Sequence, residues 1–257
     1  YEQKKELFKQ YSESRDIKYI GIQVTASPED KAALEKEMKG YAAELEKSES
    51  VAGIVNTSSS LIPYTTLPVS KTVFPRDIQN ALDSVSVGSV KGPYLNASDN
   101  TYNVIKLIAT TQAPDSVQYR AINCANVSLD AAKNTADSII KAVAAGAKFE
   151  DIAKKYNQPA ESQWLTAAQY EGQNLDADNT KFIKAILNGT PNAVQKVDLA
   201  QNVVVIEVLA RRAMATKYDA AVIKRTIDFS KETYSKAYNA FSHFIASNNT
   251  LEEMEKN

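Results

Sequence analysis

The chain has 257 residues, 44% of them hydrophobic, and its 30 basic and 31 acidic side chains leave a formal charge of -1. That length and composition suit one to two globular domains, each able to bury its own core. They exclude the strongly basic face that nucleic acid or an anionic lipid surface demands. One cysteine rules out an internal disulfide, and one histidine limits zinc and triad chemistry, which need several placed ligands or a placed imidazole. The 8 glycines form no phosphate-cradling loop. The longest apolar run, near Val203–Ala210, is broken by Glu207 and is too short to span a bilayer. The sequence opens on Tyr1 rather than Met and carries no signal peptide, as expected of a piece excised from a longer protein.

Taken in chain order, Tyr1–Ser12 reads as a charged helix or lead-in segment. Ile17-Lys-Tyr-Ile-Gly-Ile22 alternates as a strand, and Ser27 followed by Pro28 and two acids starts a helix over Pro28–Lys47. Asn56–Ser70, rich in Ser, Thr and Pro, reads as an irregular loop. Phe74 and Ile78 share one helical face, Gly88 marks a turn, and Asn103–Ala109 is a strand. Thr110–Ser116, with Pro114, reads as a linker. Val117–Ile122 is then a strand, Ser128 caps a helix over Leu129–Ala145, and Gly146 ends it before a second helix. Trp164 follows a polar turn, Phe182 lies in a further helical run, Gly189 turns the chain, and Val204–Ala210 closes as a strand. Lys217–Ile223 again has the opening-strand pattern and Ser230 again stands as a cap. Asn249–Met254 would follow a helix through Ser235–Ile245, where His243 reads as an ordinary surface or packed imidazole.

The chain therefore repeats itself. Ile17–Ile22 and Val117–Ile122 match around a tyrosine at an offset of 100 (117 − 17), and Gly88 and Asn103 match Gly189 and Val204 at an offset of 101 (189 − 88, 204 − 103). Two strands, a helix and a glycine turn in one order at one period are a duplication. Lys217–Ile223 and the residues after it would begin a truncated third element, whose apolar face (Tyr234, Tyr238, Phe241, Ile245) needs a partner surface, or else form a helical tail packed on the second copy.

Gly146-Ala-Lys-Phe-Glu-Asp-Ile-Ala-Lys-Lys-Tyr156 resembles the G-x-x-F-x-x-x-A-x-x-Y segment of parvulin (PpiC-type) peptidyl-prolyl cis-trans isomerases. Ile78–Ala81 with Val87–Pro93 resembles that family's F-x-x-A … G-x-x-S-x-P segment, and Thr101–Leu107 its closing G-Y-H-I-I-K strand. The resemblance covers about Asp16–Arg212 and implies an α+β fold of two tandem parvulin-like domains. Each would have a four-stranded, mostly antiparallel sheet with about four helices, and further helices would flank the pair. The expected division is a lead-in helix over 1–15, domains over 16–112 and 113–212, and a strand with helices over 213–257. The tandem arrangement is similar to the SurA-like and PpiD-like folding factors of the bacterial periplasm or its inner membrane. The resemblance thus implies unfolded or proline-containing polypeptide clients and no cofactor, metal or nucleic acid.

An active member of that family carries two histidines in its central strands. Their positions here fall on Gly21 and Asn103 in the first copy and on Ala121 and Val204 in the second; a one-residue shift would give Ile20 or Arg120, still no histidine. Pocket positions fall on Phe74 and Ile78 in the first copy and on Phe182 in the second, where Asp178 takes the other place. Trp164, as a peptide platform or plain core, and Cys124, on the strand that would carry the groove, complete the groove candidates, with a buried small residue favoured over a reactive thiol at Cys124. The favoured reading is a client-binding folding factor with weak or no isomerase activity. An isomerase working from the first copy through Asn103, Phe74 and Ile78 is the alternative, and structural spacer domains are the third reading.

Overall fold

Two aliphatic-rich runs, each continued through a polar stretch, form the strands on which the fold is built. In the computed structural model, which describes residues 2–8, 13, 15, 17–125 and 128–256, these are β3 (Thr101–Asn123) and β6 (Val203–Thr226). They pair antiparallel from Thr101↔Thr226 to Asn123↔Val204, with one register shift towards each end. The other strands are β1 (Val69–Ser70), β2 (Val90–Asn96), β4 (Gln163–Thr166) and β5 (Val194–Asp198). At the A end of the ribbon the order is β1-β6-β3-β2; at the B end β4 pairs with β3 and β5 with β6. Every ladder is antiparallel.

The ribbon has an internal two-fold relation. The pair Asn103↔Lys224 maps onto Val204↔Asn123 when 101 is added to the β3 number and subtracted from the β6 number (204 − 103, 224 − 123), and Leu107↔Ala220 maps onto Val208↔Tyr119 likewise. The repeat in the sequence is therefore a repeat in the sheet. Helices cover both faces at both ends. At the A end α1 (Pro28–Lys47) and α2 (Ala52–Thr57) pack on Val104, Ala221 and Ile223, and α3 (Arg76–Leu82) packs on Ile105, Leu107 and Val222. At the B end α4 (Leu129–Ala144) and α5 (Phe149–Lys155) pack on Ile122, Val203 and Val205. On the other B face, α6 (Ala167–Tyr170) and α7 (Ala177–Asn188) pack on Tyr119, Val204 and Ile206. Each fully buried Ile or Val contributes about 1.5–3 kcal/mol relative to exposure.

The local start signals are realised as hydrogen bonds. Ser27 Oγ accepts from the Asp30 amide at 3.1 Å while Asp30 accepts from the Ser27 amide at 3.0 Å, a reciprocal capping box. Ser128 caps α4 through the Ala131 amide at 3.2 Å. Ser230 caps α8 (Lys231–Ser247) through the Thr233 amide, also at 3.2 Å, and α9 (Leu251–Lys256) follows. Gly92 has φ +113° beside a register shift in β2, and a Cβ there would meet the Asn103 carbonyl oxygen at 2.4 Å, so only glycine lets the two backbones approach.

The chain divides into two compact units: Tyr1–Lys31 with Asp228–Asn257, and Ala32–Ile227. Several expectations change accordingly. The expected boundary between residues 112 and 113 falls inside β3, because Thr110–Ser116 is strand and not linker. Pro114 is tolerated there because it lies between the stretch of β3 that pairs with β2 and the stretch that pairs with β4, where β6 is the strand's one neighbour. Ile17–Ile22, expected as the opening strand of the first copy, lies outside the sheet. Its place beside β3 is taken by the second half of β6, so Lys217–Ile223 completes the A end instead of opening a separate third element. Within the expected loop over 56–70, α2 runs to Thr57 and β1 occupies Val69–Ser70. The lead-in is a 3-10 helix over Glu2–Phe8, and positions 1 and 9–12 of the expected segment lie outside the described residues. Among the described residues no helix is long and apolar enough to cross a membrane.

Candidate functional site

A shallow alternation of small and aromatic residues on the α3 face of the A end leaves a cleft of about 230 Å³. It is bounded by the loop through Pro63 and Tyr64, by Phe74 and Pro75, and by Tyr218 and Ala220 on β6. Its lining is predominantly apolar, and it is smaller than the roughly 300–1,000 Å³ of drug-sized ligand sites, a scale for one ring or side chain. The Tyr64 hydroxyl donates to Asp219 at 2.8 Å. Burial, reinforced by that carboxylate, pushes the Tyr64 phenol well above its ordinary pKa; burial likewise raises Asp219, against the hydrogen bond from Tyr64.

Phe74 lines this cleft, but it sits in extended backbone ahead of α3 and not on the helix with Ile78. Pro75 explains this, because the residue before a proline is pushed out of the helical region. Ile78 is fully buried in the core behind.

Farther along the same face, three directly opposed residues make a polar row: Tyr94 on β2, Asn103 on β3 and Lys224 on β6. Asn103 is 0% exposed; its amide donates to Thr101 Oγ1 at 3.1 Å, while its Oδ1 and the Tyr94 hydroxyl have no partner among the described residues. The Lys224 ammonium reaches Asp77 at 2.8 Å and Asp99 at 2.6 Å. Burial opposes that charge, but the two carboxylates outweigh it and hold the Lys224 pKa above the ordinary lysine value. Burial with the fields of Asp77 and Asp99 pushes Tyr94 up to about 12. Sequence reasoning missed this row, and its one local signal was Asn103.

At the B end the corresponding face is filled. Val204 is buried in the α7 core, with Ala121 packed at its edge. Phe182 lies edge-on to Tyr119 with ring centroids 5.8 Å apart. Asp178 does not enter a pocket: its carboxylate accepts from the Ala200 amide at 3.0 and 3.1 Å and clamps the turn between β5 and β6. Trp164 lies on β4 beneath the Arg212 guanidinium, 4.1 Å from the ring centroid. Cys124 packs on the opposite face with Ile122, α4 and α5, and burial raises its thiol pKa, so it joins no groove with Phe182. Arg120 reaches Glu207 at 2.5 Å and pairs with Glu150.

Val222 faces Ile105 as Ala121 faces Ile206, each 101 apart (222 − 121, 206 − 105), so Val222 stands at the A end where Ala121 stands at the B end, while Gly21 lies outside the sheet. Of the sheet positions Val222, Asn103, Ala121 and Val204, Asn103 alone carries a hydrogen-bonding side chain.

A second polar cluster joins the two ends of the ribbon. Lys217 is fully buried and reaches Glu171 at 2.6 Å, Ser70 Oγ at 2.7 Å and Asp115 at 3.2 Å. Glu171 also accepts from the Ser70 amide at 3.0 Å. His243 on α8 is exposed and lies 3.4 Å from the Ser247 hydroxyl. Among the described residues no group of three or more His, Cys, Asp or Glu could hold a metal ion.

No curated protein and no solved structure matches the chain. Residues 102–212, which are 111 of the 257 (212 − 102 + 1), match the family model of the PPIC-type PPIASE domain, and through that stretch of β3, α4–α7, β4, β5 and the first part of β6 the chain resembles the peptidyl-prolyl cis-trans isomerases.

Proposed function

We propose that the chain is part of a folding factor of the peptidyl-prolyl isomerase family, with two tandem parvulin-like domains that hold extended or unfolded polypeptides and turn their prolines weakly or not at all. The observation that carries this reading is the separation of pocket from polar groups. The cleft beside Phe74 opens to solvent, whereas Asn103, the one polar residue at a family position, is wholly buried and its amide is engaged with Thr101.

Isomerisation needs both parts at one peptide bond. A barrier of about 18–20 kcal/mol set by amide resonance is lowered when a proline ring is seated and a donor favours the twisted amide. Here the cleft can seat a proline or an aromatic ring by removing its surface from water. The Tyr64 hydroxyl on the cleft wall is already given to Asp219. Val222, Ala121 and Val204, at the other three sheet positions, supply no proton donor. Holding without turning is the consequence. The periplasmic setting, and any tether of the parent to the inner membrane, rest on the family resemblance alone.

The test is a proline-limited refolding assay with an active parvulin as positive control and Phe74→Ala beside the wild-type chain. The expected result is no acceleration, with aggregation of the refolding protein slowed by the wild-type chain and less by Phe74→Ala. Acceleration that Phe74→Ala abolishes would make the first domain a working isomerase and overturn the reading.

A further inference from the structure

β1 stands beside β6 as β4 stands beside β3, with Ser70 opposite Lys217 and Thr166 opposite Ser116, 101 apart along the ribbon (217 − 116). β4 is a four-residue strand, whereas β1 has two residues, too short a ladder to fix the chain that follows it. That chain is a wall of the cleft: Ser70 leads through the 3-10 turn Lys71–Val73 to Phe74 and Pro75. Whatever anchors Ser70 therefore sets where Val73 and Phe74 stand.

The anchor comes from the other end of the ribbon. Glu171, in the turn that follows α6, accepts from the Ser70 amide at 3.0 Å and from the Ser70 hydroxyl at 3.1 Å. Its carboxylate is held in turn by the buried Lys217 ammonium at 2.6 Å, which also donates to the Ser70 hydroxyl at 2.7 Å. The Glu171 side chain is almost wholly buried, so salt screens these bonds far less than it screens a surface pair. The next residue, Gly172, lines the cleft itself, and the rest of that lining belongs to the A end. Gly172 has φ +72°, and a Cβ there would lie 3.5 Å from Val73 Cγ1. Bare backbone thus fits against Val73 where a longer side chain would crowd it.

We propose that the B end completes the A-end cleft: Glu171 is a positioning residue that fixes the wall from Ser70 to Phe74, and Gly172 is a specificity-determining residue that keeps the space beside Val73 free for one ring. The inference rests on the reading of that cleft as the site that seats a proline or aromatic ring. It adds that the ring site is built from both repeats and does not belong to the first alone. Lys217 acts through Glu171, by neutralising a carboxylate that would be costly to leave unpaired in so buried a place.

The probes are N-acetyl-phenylalanine amide and N-acetyl-proline amide, titrated onto the isotope-labelled full chain. Shifts at Val73, Phe74 and Ala220 report binding, with amide exchange of Ser70 and urea unfolding measured alongside. Lys217→Met with Glu171→Leu removes the ion pair and the acceptor for Ser70 together. In that variant the Ser70 amide should exchange faster, and affinity for both probes should fall about tenfold. Lys217→Met with Glu171→Gln removes the same charges but keeps a carbonyl for Ser70, and should restore the slow exchange and most of the affinity. Gly172→Asn and Gly172→Ala separate space from backbone. Asparagine tolerates the left-handed region better than alanine, so a purely conformational role would make Gly172→Ala the worse variant in both stability and binding. The proposal expects opposite orders: Gly172→Asn is the more stable, yet binds N-acetyl-phenylalanine amide about tenfold more weakly than Gly172→Ala. A wild-type chain that binds neither probe sinks the cleft reading and this inference with it. Wild-type binding that both double variants share equally, or Gly172→Asn binding as tightly as Gly172→Ala, overturns this inference and leaves the cleft reading standing.

Discussion

Removing the Lys217 ammonium isolates a buried carboxylate, and the cost can be worked from the geometry. Lys217 is fully buried and the Glu171 side chain is 7% exposed, with 2.6 Å between them. Deleting one partner of such a pair costs about 3–5 kcal/mol because the other charge is left in low dielectric. Glu171 keeps the Ser70 amide at 3.0 Å, which places Lys217→Met near the lower bound of about 3 kcal/mol. At about 2–4 °C per kcal/mol for a unit of this size, the melting temperature should fall by roughly 6–12 °C. Glu171→Gln in the same chain removes the stranded charge while retaining a carbonyl for Ser70, so the double variant should recover most of the loss. Thermal and urea unfolding followed by circular dichroism would measure the cycle. Effects of the two substitutions that simply add to within about 0.5 kcal/mol would refute the reasoning, since residues in one buried network must couple.

Two further outcomes concern the A end. Burial raises the Asp99 carboxyl, but hydrogen bonds from Lys224 and Thr101 outweigh it and set its pKa below the ordinary 3.8. Its contribution to stability is therefore full above the unfolded value of about 3.9 and is lost as pH falls through the lower folded value. Asp99→Asn should flatten the decline of the urea midpoint below about pH 4, and an unchanged acid profile would contradict the pairing. The topology itself is testable by Tyr102→Cys with Arg225→Cys in a Cys124→Ser background. The two residues are directly opposed across β3 and β6. Opposed Cα atoms lie about 4.5–5.5 Å apart, within disulfide range, so the bridge should close under mild oxidation. Failure to close would mean that another strand lies beside β3.

The features legible in the sequence were local. Ser27, Ser128 and Ser230 cap helices because a cap is decided within four residues; Val117–Ile122 alternates and Val204–Ala210 is a short apolar run, each a strand signal whatever it pairs with. Thr110–Ser116 misled because polar residues and a proline read as a turn, while a strand with a single neighbour accommodates both. Ile17–Ile22 and Lys217–Ile223 carry the same opening pattern, so no local signal could decide which one enters the sheet. The Tyr94–Asn103–Lys224 row was illegible for the same reason: its members meet across three strands, and Lys224 is reached only when β6 is followed past Lys217. Phe74 and Ile78 were found by helical spacing, yet Pro75 breaks that helix and leaves only Phe74 at the cleft. Cys124, one residue past the end of β3, packs against α4 and α5.

The most direct measurement for the central claim is a titration of the isotope-labelled chain with an unlabelled proline- and aromatic-containing peptide, read residue by residue in backbone and side-chain spectra. The account expects saturable shifts at Tyr64, Val73, Phe74, Tyr218 and Ala220 around the cleft, with Ala121 and Val204 unmoved, and loss of those shifts in Phe74→Ala. Shifts centred on Ala121, Val204 and Phe182, or none around the cleft at saturating peptide, would contradict it.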